Sequence, residues 1–190
     1  MLRLAPAAAA NKPWLAGAMI SSRPPAADDR AVPGHWVGDL IIGAGSRSAA
    51  ITLVERSTRF VLIKRLPTRH DSPTVADELT RMVQDLPAAL RRALTWDQGS
   101  EMARVADFTT ATGMDVYFAD PHSPWQRASN ENTNGLIRQY LPKGTDLAAP
   151  SDEYYQRIHD ELNTRPRKTL HWATPAQALN AFLTAQPTTG

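Results

Sequence analysis

The sequence contains no cysteine, so neither disulfide bonds nor cysteine-ligated zinc can hold the fold. Any bound metal must use carboxylate, amide or imidazole ligands, and carboxylate and amide oxygens favour hard cations. No apolar stretch approaches the roughly 20 residues that a transmembrane helix needs, so a membrane partner is not expected.

The sequence also lacks a strong excess of one charge, because 21 Lys and Arg face 19 Asp and Glu. A net charge of +2 argues only weakly for a polyanionic partner, so the position of the basic residues matters more than their sum. An ordinary solvated surface is the simplest explanation for such groups, and the preferred one for the first of them. The three groups are Arg56, Arg59, Lys64, Arg65 and Arg69; Arg127, Arg138 and Lys143; and Arg157, Arg165, Arg167 and Lys168.

The length favours one main domain. Residues 1–30 are rich in Ala and Pro without a periodic pattern, which predicts a flexible leader. Residues 31–150 are predicted to form the core, and residues 151–190 two C-terminal helices that close it.

Hydrophobic periodicity predicts an α/β fold. Strand patterns at residues 36–42, 49–55 and 60–66 are joined by short polar turns, which indicates an antiparallel meander. Parallel crossovers then follow, so we expect a mixed five-stranded sheet with helices on both faces. The later predicted elements are a helix at 73–86, a strand at 92–97, a helix at 101–112, a strand at 114–118, a loop at 120–124 and helices at 125–141, 151–163 and 175–183.

Asp39 is the one charged residue in an otherwise apolar predicted strand. An ionised carboxylate there is costly unless a cation or hydrogen bonds offset its desolvation. Asp97 lies at the carboxyl end of another predicted strand, where open sheets present functional groups. For Asp97 alone, helix capping or turn formation explains the position equally well.

Glu131 lies in the long predicted helix at residues 125–141. At about 100° per residue, Arg127, Asn134 and Arg138 project within about 60° of it. The opposite side is apolar, so the helix has a buried stripe and a polar stripe centred on Glu131. The alternative is an exposed face on which Glu131 pairs with Arg127 or Arg138, which would contribute little to stability.

These three carboxylates could converge where the helix packs across the sheet. Close together they would repel one another and resist ionisation unless cations were present. Two divalent ions about 4 Å apart would balance them and activate a water or 3′-hydroxyl for attack on phosphorus. Oxygen-only ligation suits Mg²⁺ or Mn²⁺, so two such ions are the predicted cofactors.

Four motifs resemble the Asp-Asp-Glu transposases and integrases, and most closely the insertion sequence thirty family. Residues 30–41 resemble the first catalytic strand of that family, residues 95–101 its second acidic motif, and residues 121–138 its third. Thirty-three residues separate Asp97 from Glu131, the spacing that the family shows. The resemblance extends over roughly residues 22–183 and includes, at 163–175, the tail that closes the integrase core.

The resemblance implies a ribonuclease H-like fold and a DNA transposase that nicks a transposon end and transfers the strand into target DNA. It implies that Asp39, Asp97 and Glu131 are the catalytic residues and metal ligands, and that Gly99 allows close approach of substrate or metal. The implied partners are double-stranded DNA, as transposon ends and target, and further copies of the chain. The implied location is the bacterial cytoplasm, at the nucleoid.

The resemblance also implies contacts with DNA. Asn134 and Arg138 would face DNA near the cut, whereas the tail residues would meet phosphates in a salt-sensitive way. For His122 and Trp125, a loop hydrogen bond and helix packing are better explanations than chemistry. The predicted DNA-binding residues are Arg127, Asn134, Arg138, Arg165, Arg167 and Lys168.

Two features differ from that family. Val37 occupies a position where the family usually carries Glu, on the strand face shared with Asp39. Full-length relatives also carry an N-terminal helix-turn-helix region that recognises the element ends. The first 30 residues are too short and too poor in helical pattern to form one, which predicts an N-terminally truncated chain.

Three functions therefore remain open. The intact acidic triad favours an active transposase core. The missing recognition region favours a remnant that binds DNA or oligomerises without transposing. A ribonuclease H-like nuclease without a joining step would share the metals but would not need the integrase-like tail.

Overall fold

Five strands form one mixed sheet in a computed structural model of the chain, which describes residues 19–20, 31–66, 70–97, 104–119 and 128–185, with the backbone alone at 128–131. The strands lie side by side in the order β3-β2-β1-β4-β5. The first three pair antiparallel, and β1–β4 and β4–β5 pair parallel, which confirms the predicted meander and crossovers. The strands are β1 (His35–Ile42), β2 (Ala49–Glu55), β3 (Val61–Leu66), β4 (Ala93–Trp96) and β5 (Asp115–Phe118).

Local signals account for three of the helix ends. Asp71 accepts a hydrogen bond from the Thr74 N–H at the start of the first helix, and Ser151 caps the fourth helix in the same way. Gly113 ends the second helix in the left-handed conformation that glycine adopts readily. The helices are α1 (Ser72–Gln84), α2 (Val105–Thr112), α3 (Ala128–Ile137), α4 (Asp152–Thr164) and α5 (Pro175–Ala185).

The sheet has a hydrophobic core on each face. On one face, Trp36 and Leu53 pack with Leu79 of α1 and Phe108 of α2. On the other face, a second core contains strand residues together with Ile137 of α3 and Ile158 of α4. Helices therefore cover both faces, as the sequence predicts, and α5 packs against α4.

Two helix ends differ from the sequence prediction. α2 begins at Val105, later than the predicted residue 101, since Arg104 has non-helical backbone angles of φ −95° and ψ 34°. The Arg104 N–H donates to Ser72 Oγ at 3.0 Å. α3 ends at Ile137 rather than Leu141, and turns follow up to Pro142, which disfavours helical geometry at Leu141 alone. The chain there tightens into turns, with Tyr140 N–H donating to the Ile137 carbonyl at 2.9 Å.

Some predictions fall outside the described residues. These are the break at Gln98 and Gly99, the loop at 120–124 with His122, and the start of the long helix with Trp125 and Arg127. Within the predicted leader, Met19 forms a parallel bridge with Phe118 of β5, and Ile20 is buried. None of the described helices is long and apolar enough to span a membrane.

Candidate active site

The pairing of β1 with β4 brings two of the predicted ligands together. The parallel register aligns Trp36 with Leu94 and Val37 with Thr95. Extended by two residues, this register places Asp39 opposite Asp97, which directly follows β4. Because side chains alternate along a strand, both positions lie on the face that α3 covers. Both carboxylates are partly exposed.

Gly38 and Trp96, the residues just before these two aspartates, fit closely together. A Cβ atom at Gly38 would overlap the Trp96 ring, which is fully buried. Only glycine therefore allows the indole to lie across β1 at this point. This contact lies on the face opposite Asp39 and packs the two strands that carry the acidic residues against each other.

A side chain from α3 holds Asp39. Asn134 Nδ2 donates to Asp39 Oδ2 at 2.8 Å, and Thr52 Oγ1 on β2 donates to Asn134 Oδ1 at 3.2 Å. The Leu40 N–H donates to the other oxygen, Asp39 Oδ1, at 2.8 Å. The carboxylate orientation is therefore set by both its own strand and the helix above it.

Glu131 lies on the same helix, one turn before Asn134, but its side chain is outside the described part of the structure. α3 packs on β1 and β2 through Asn134 and the fully buried Ile137. At about 100° per residue, position 131 is about 60° around the helix from Asn134. The polar stripe thus flanks the buried stripe rather than standing opposite it. The predicted role of Glu131 stays a prediction.

The oxygen atoms described at this site suit a hard divalent cation as ligands. Carboxylate and amide oxygens are the ligands that Mg²⁺ prefers, and each carboxylate oxygen keeps a second lone pair when it accepts one hydrogen bond. Among the described side chains, which exclude that of Glu131, no three His, Asp or Glu are grouped closely enough to hold a metal ion. The third ligand would therefore have to come from outside these side chains.

Val37 is 1% exposed and packs between its neighbours Val54 and Thr95. The position that usually carries Glu in the resembling family is therefore an apolar, closed position here. The Val37 side chain packs within the sheet two residues before Asp39 and offers it no polar group.

Arg138 ties the end of α3 to the end of β1. Its Nη2 donates to the Ile42 carbonyl at 3.2 Å, and its Nη1 donates to the Leu141 carbonyl at 3.4 Å. Asn134 and Arg138 are thus both engaged within the protein. Their predicted DNA contacts stay predictions.

The three basic residues of the tail have different surroundings. Arg165 is exposed and its Nη2 donates to Tyr140 Oη at 3.0 Å. Arg167 is partly buried, its Nη2 donates to the Leu162 carbonyl at 3.2 Å, and burial lowers the pKa of its guanidinium. Lys168 is exposed. Arg165 and Lys168 are the more accessible cations of this group.

Sequence reasoning did not single out two buried polar residues of β2, Glu55 and Thr52, and it named Asn163 only as the first residue of the tail. Glu55, fully buried at the end of β2, accepts hydrogen bonds from the Gly34, Ser57 and Thr58 N–H groups and from Thr58 Oγ1. Thr52 is fully buried beside Asn134, and Asn163 is bonded to the backbone of Val61. The apolar residues around Glu55 and Thr52 in the strand gave no signal for these contacts.

The sequence matches known proteins over most of its length. Residues 29–124 match the integrase core domain. The chain is 56% identical over 169 residues to the transposase for insertion sequence element IS1086 of Cupriavidus metallidurans, covering 89% of this chain and 49% of that protein. It is 48% identical over 163 residues to transposase InsI for insertion sequence element IS30A of Escherichia coli, covering 86% and 42%. The chain thus spans about half the length of these relatives, and the predicted resemblance is confirmed.

The fold also matches a solved structure. The cryo-EM structure of the simian T-cell lymphotropic virus intasome in complex with PP2A regulatory subunit B56 gamma is similar with a TM-score of 0.62 and 17% sequence identity. The similarity covers 84% of this chain and 57% of that chain. Together with the order of the strands, it confirms the predicted ribonuclease H-like fold.

Proposed function

This chain belongs to the integrase core domain family, and we propose that it is the catalytic core of a DNA transposase that nicks DNA and joins the cut strand to a target. The observation that carries the proposal is the register that sets Asp39 beside Asp97, under the helix that contains Glu131. Asp39, Asp97 and Glu131 would hold two Mg²⁺ or Mn²⁺ ions. Such ions activate the attacking oxygen and stabilise the leaving oxygen of a phosphodiester.

The chain's own residues would orient this site before DNA binds. Asn134 and Thr52 hold Asp39 in one orientation, and Trp96 packs closely on Gly38 on the opposite face of the sheet. Ligands fixed in this way lose little conformational freedom when a metal or substrate binds.

The partners we propose are double-stranded DNA, as transposon ends and target, and further copies of this chain. Two DNA ends must be cut and joined together, so two active sites are needed. Arg127, Asn134, Arg138, Arg165, Arg167 and Lys168 are the proposed DNA-contacting residues, and binding to chromosomal DNA would place the protein at the nucleoid.

Metal-dependent nicking and strand transfer test the proposal. The substrates are a supercoiled plasmid and labelled duplexes taken from either side of the coding sequence. We expect the wild type to nick DNA with Mg²⁺ or Mn²⁺, and Asp39→Asn, Asp97→Asn and Glu131→Gln each to reduce nicking to background. Asp115→Asn is the matched control, because Asp115 is an exposed carboxylate on β5 away from the site.

Either of two outcomes would overturn the proposal. A folded wild type that binds DNA but never nicks it would instead have a non-catalytic DNA-binding function. Full activity in any of the three site variants would remove that residue from the catalytic set. Circular dichroism of each variant confirms that it is folded.

A further inference from the structure

Trp172 is the one large apolar side chain among the described residues that is strongly exposed, at 68% of its surface. It lies between α4 and α5 in a segment that we call the Trp172 loop, residues 165–174. A single exposed apolar residue is ordinary by itself. Three further features distinguish this one.

The first feature is that hydrogen bonds hold the Trp172 loop in one conformation. The Trp172 N–H donates to the Arg167 carbonyl and the Arg167 N–H donates to the Ala173 carbonyl, both at 3.0 Å. At the end of the loop, Thr174 and Gln177 form a reciprocal capping box that starts α5. The indole is therefore presented from a preorganised backbone.

The second feature is an unfavourable backbone conformation at two consecutive residues. His171 has φ 52° and Trp172 has φ 69°, both in the left-handed region that residues other than glycine disfavour. Such conformations persist where the surrounding structure enforces them, and they concentrate at functional sites.

The third feature is charge. Residues 162–190 contain Arg165, Arg167 and Lys168 and no Asp or Glu, whereas the rest of the chain has 18 basic and 19 acidic residues. The positive excess of the whole chain therefore comes from this segment. Glu161, the acidic residue that precedes it, accepts a hydrogen bond from Tyr140 Oη at 2.7 Å.

We propose that the Trp172 loop binds DNA that has an unpaired base, with the indole stacked on that base and Lys168 and Arg165 against the adjoining phosphates. This inference rests on the proposed function and adds a substrate feature to it, a frayed or single-stranded segment. An exposed aromatic ring on a loop that also carries exposed cations combines the two contacts, stacking and phosphate binding, by which proteins bind unpaired nucleotides. Bases inside an intact duplex are stacked on each other and are not accessible to the ring.

Binding without divalent metal tests the inference separately from catalysis. The full chain is titrated in EDTA, by fluorescence anisotropy, into a labelled blunt duplex and into the same duplex with a short single-stranded overhang. We expect tighter binding to the overhang duplex. Trp172→Ala should weaken that binding by about 5- to 150-fold, the equivalent of one lost stacking contact, and should affect the blunt duplex much less. Trp172→Phe should retain part of the preference.

Trp172→Gly separates binding from folding. Glycine accepts the left-handed conformation, so this variant should be at least as thermally stable as the wild type and yet lose the overhang preference. A folded Trp172→Gly protein that binds the overhang duplex as the wild type does would overturn the inference.

Salt dependence separates the two kinds of contact. The slope of log affinity against log salt concentration is negative. Lys168→Gln should make it shallower by about 0.7, whereas Trp172→Ala should leave it unchanged. Lys64→Gln, at an exposed lysine on β3, is the matched control and should change neither the slope nor the preference.

Two outcomes distinguish a failure of the Trp172 loop inference from a failure of the catalytic proposal. If Trp172→Ala changes the sedimentation of the protein but not its DNA binding, the loop docks on another copy of the chain and the inference is wrong. If the wild type prefers the overhang duplex but nicks no DNA with either metal, the catalytic proposal alone is wrong.

Discussion

At the scale of single residues, Asn134 couples the position of α3 to the orientation of Asp39. Its amide donates to Asp39 Oδ2 and accepts from Thr52 Oγ1. We expect Asn134→Ala to raise the Mg²⁺ concentration for half-maximal nicking by about 10- to 100-fold, because the ligand loses the hydrogen bond that orients it. A metal titration of nicking at saturating DNA measures the change.

Asn134→Asp is the sharper variant, because it keeps the size of the side chain and replaces the donor with a second carboxylate. Two carboxylates at hydrogen-bond distance resist ionising together, so one of the pair has a raised pKa. Activity of this variant should therefore rise with pH over a range in which the wild type changes less. If both variants keep the metal requirement and the pH profile of the wild type, Asn134 does not orient Asp39 for metal binding and only packs α3 on the sheet.

The residues of the site differ in how far the sequence predicts them. Asp39 stands out as a charge in an apolar strand, and the resemblance supplies roles for Asp97 and Glu131. Glu55 does not stand out, because three of its four hydrogen-bond donors are backbone N–H groups, one of them 21 residues away. Hydrogen bonds to a distant backbone leave no pattern in the sequence, since every residue type except proline offers the same N–H group.

At the scale of elements, Asn163 protects the free edge of the sheet. β3 is an edge strand, and Asn163 Oδ1 and Nδ2 bond the Val61 N–H and carbonyl, both at 2.8 Å. Asn163→Leu keeps the number and branching of the side-chain heavy atoms and leaves both backbone groups of Val61 without their partner. We expect the free energy of unfolding to fall by about 2–4 kcal/mol, measured by urea denaturation.

A matched variant tests the cause of that loss. Asn180 is exposed on α5, so Asn180→Leu should change the unfolding free energy by less than about 0.5 kcal/mol. A loss of similar size in both variants would show that the pairing with Val61 is not what stabilises the edge.

The order of elements follows from periodicity, but their ends do not. Strand and helix patterns depend on which residues face a core, and the two cores observed here supply those faces. At the start of α2, for example, the Arg104 N–H donates to Ser72 Oγ, 32 residues earlier. No local pattern encodes such a contact.

At the scale of the whole molecule, one sheet is shared by two cores. Leu79 of α1 is fully buried on one face, and Ile158 of α4 is 1% exposed on the other, packed in the same core as Ile41 and Ile63. Residues 151–190 are predicted as helices that close the core, and α4 contacts β3. Because Ile41 belongs to β1, we expect both cores to unfold together with the sheet that carries Asp39.

Leu79→Ala and Ile158→Ala should each lower the unfolding free energy by about 2–5 kcal/mol, in a single transition. Tryptophan fluorescence, to which the buried Trp36 and Trp96 contribute, should follow the same urea curve as far-ultraviolet circular dichroism. Asp77→Ala, at an exposed position of α1, serves as the control. If Ile158→Ala shifts the dichroism curve alone, α4 unfolds before the sheet and the geometry of the acidic site does not depend on it. Coincident curves would instead make the C-terminal helices part of what holds Asp39 in place.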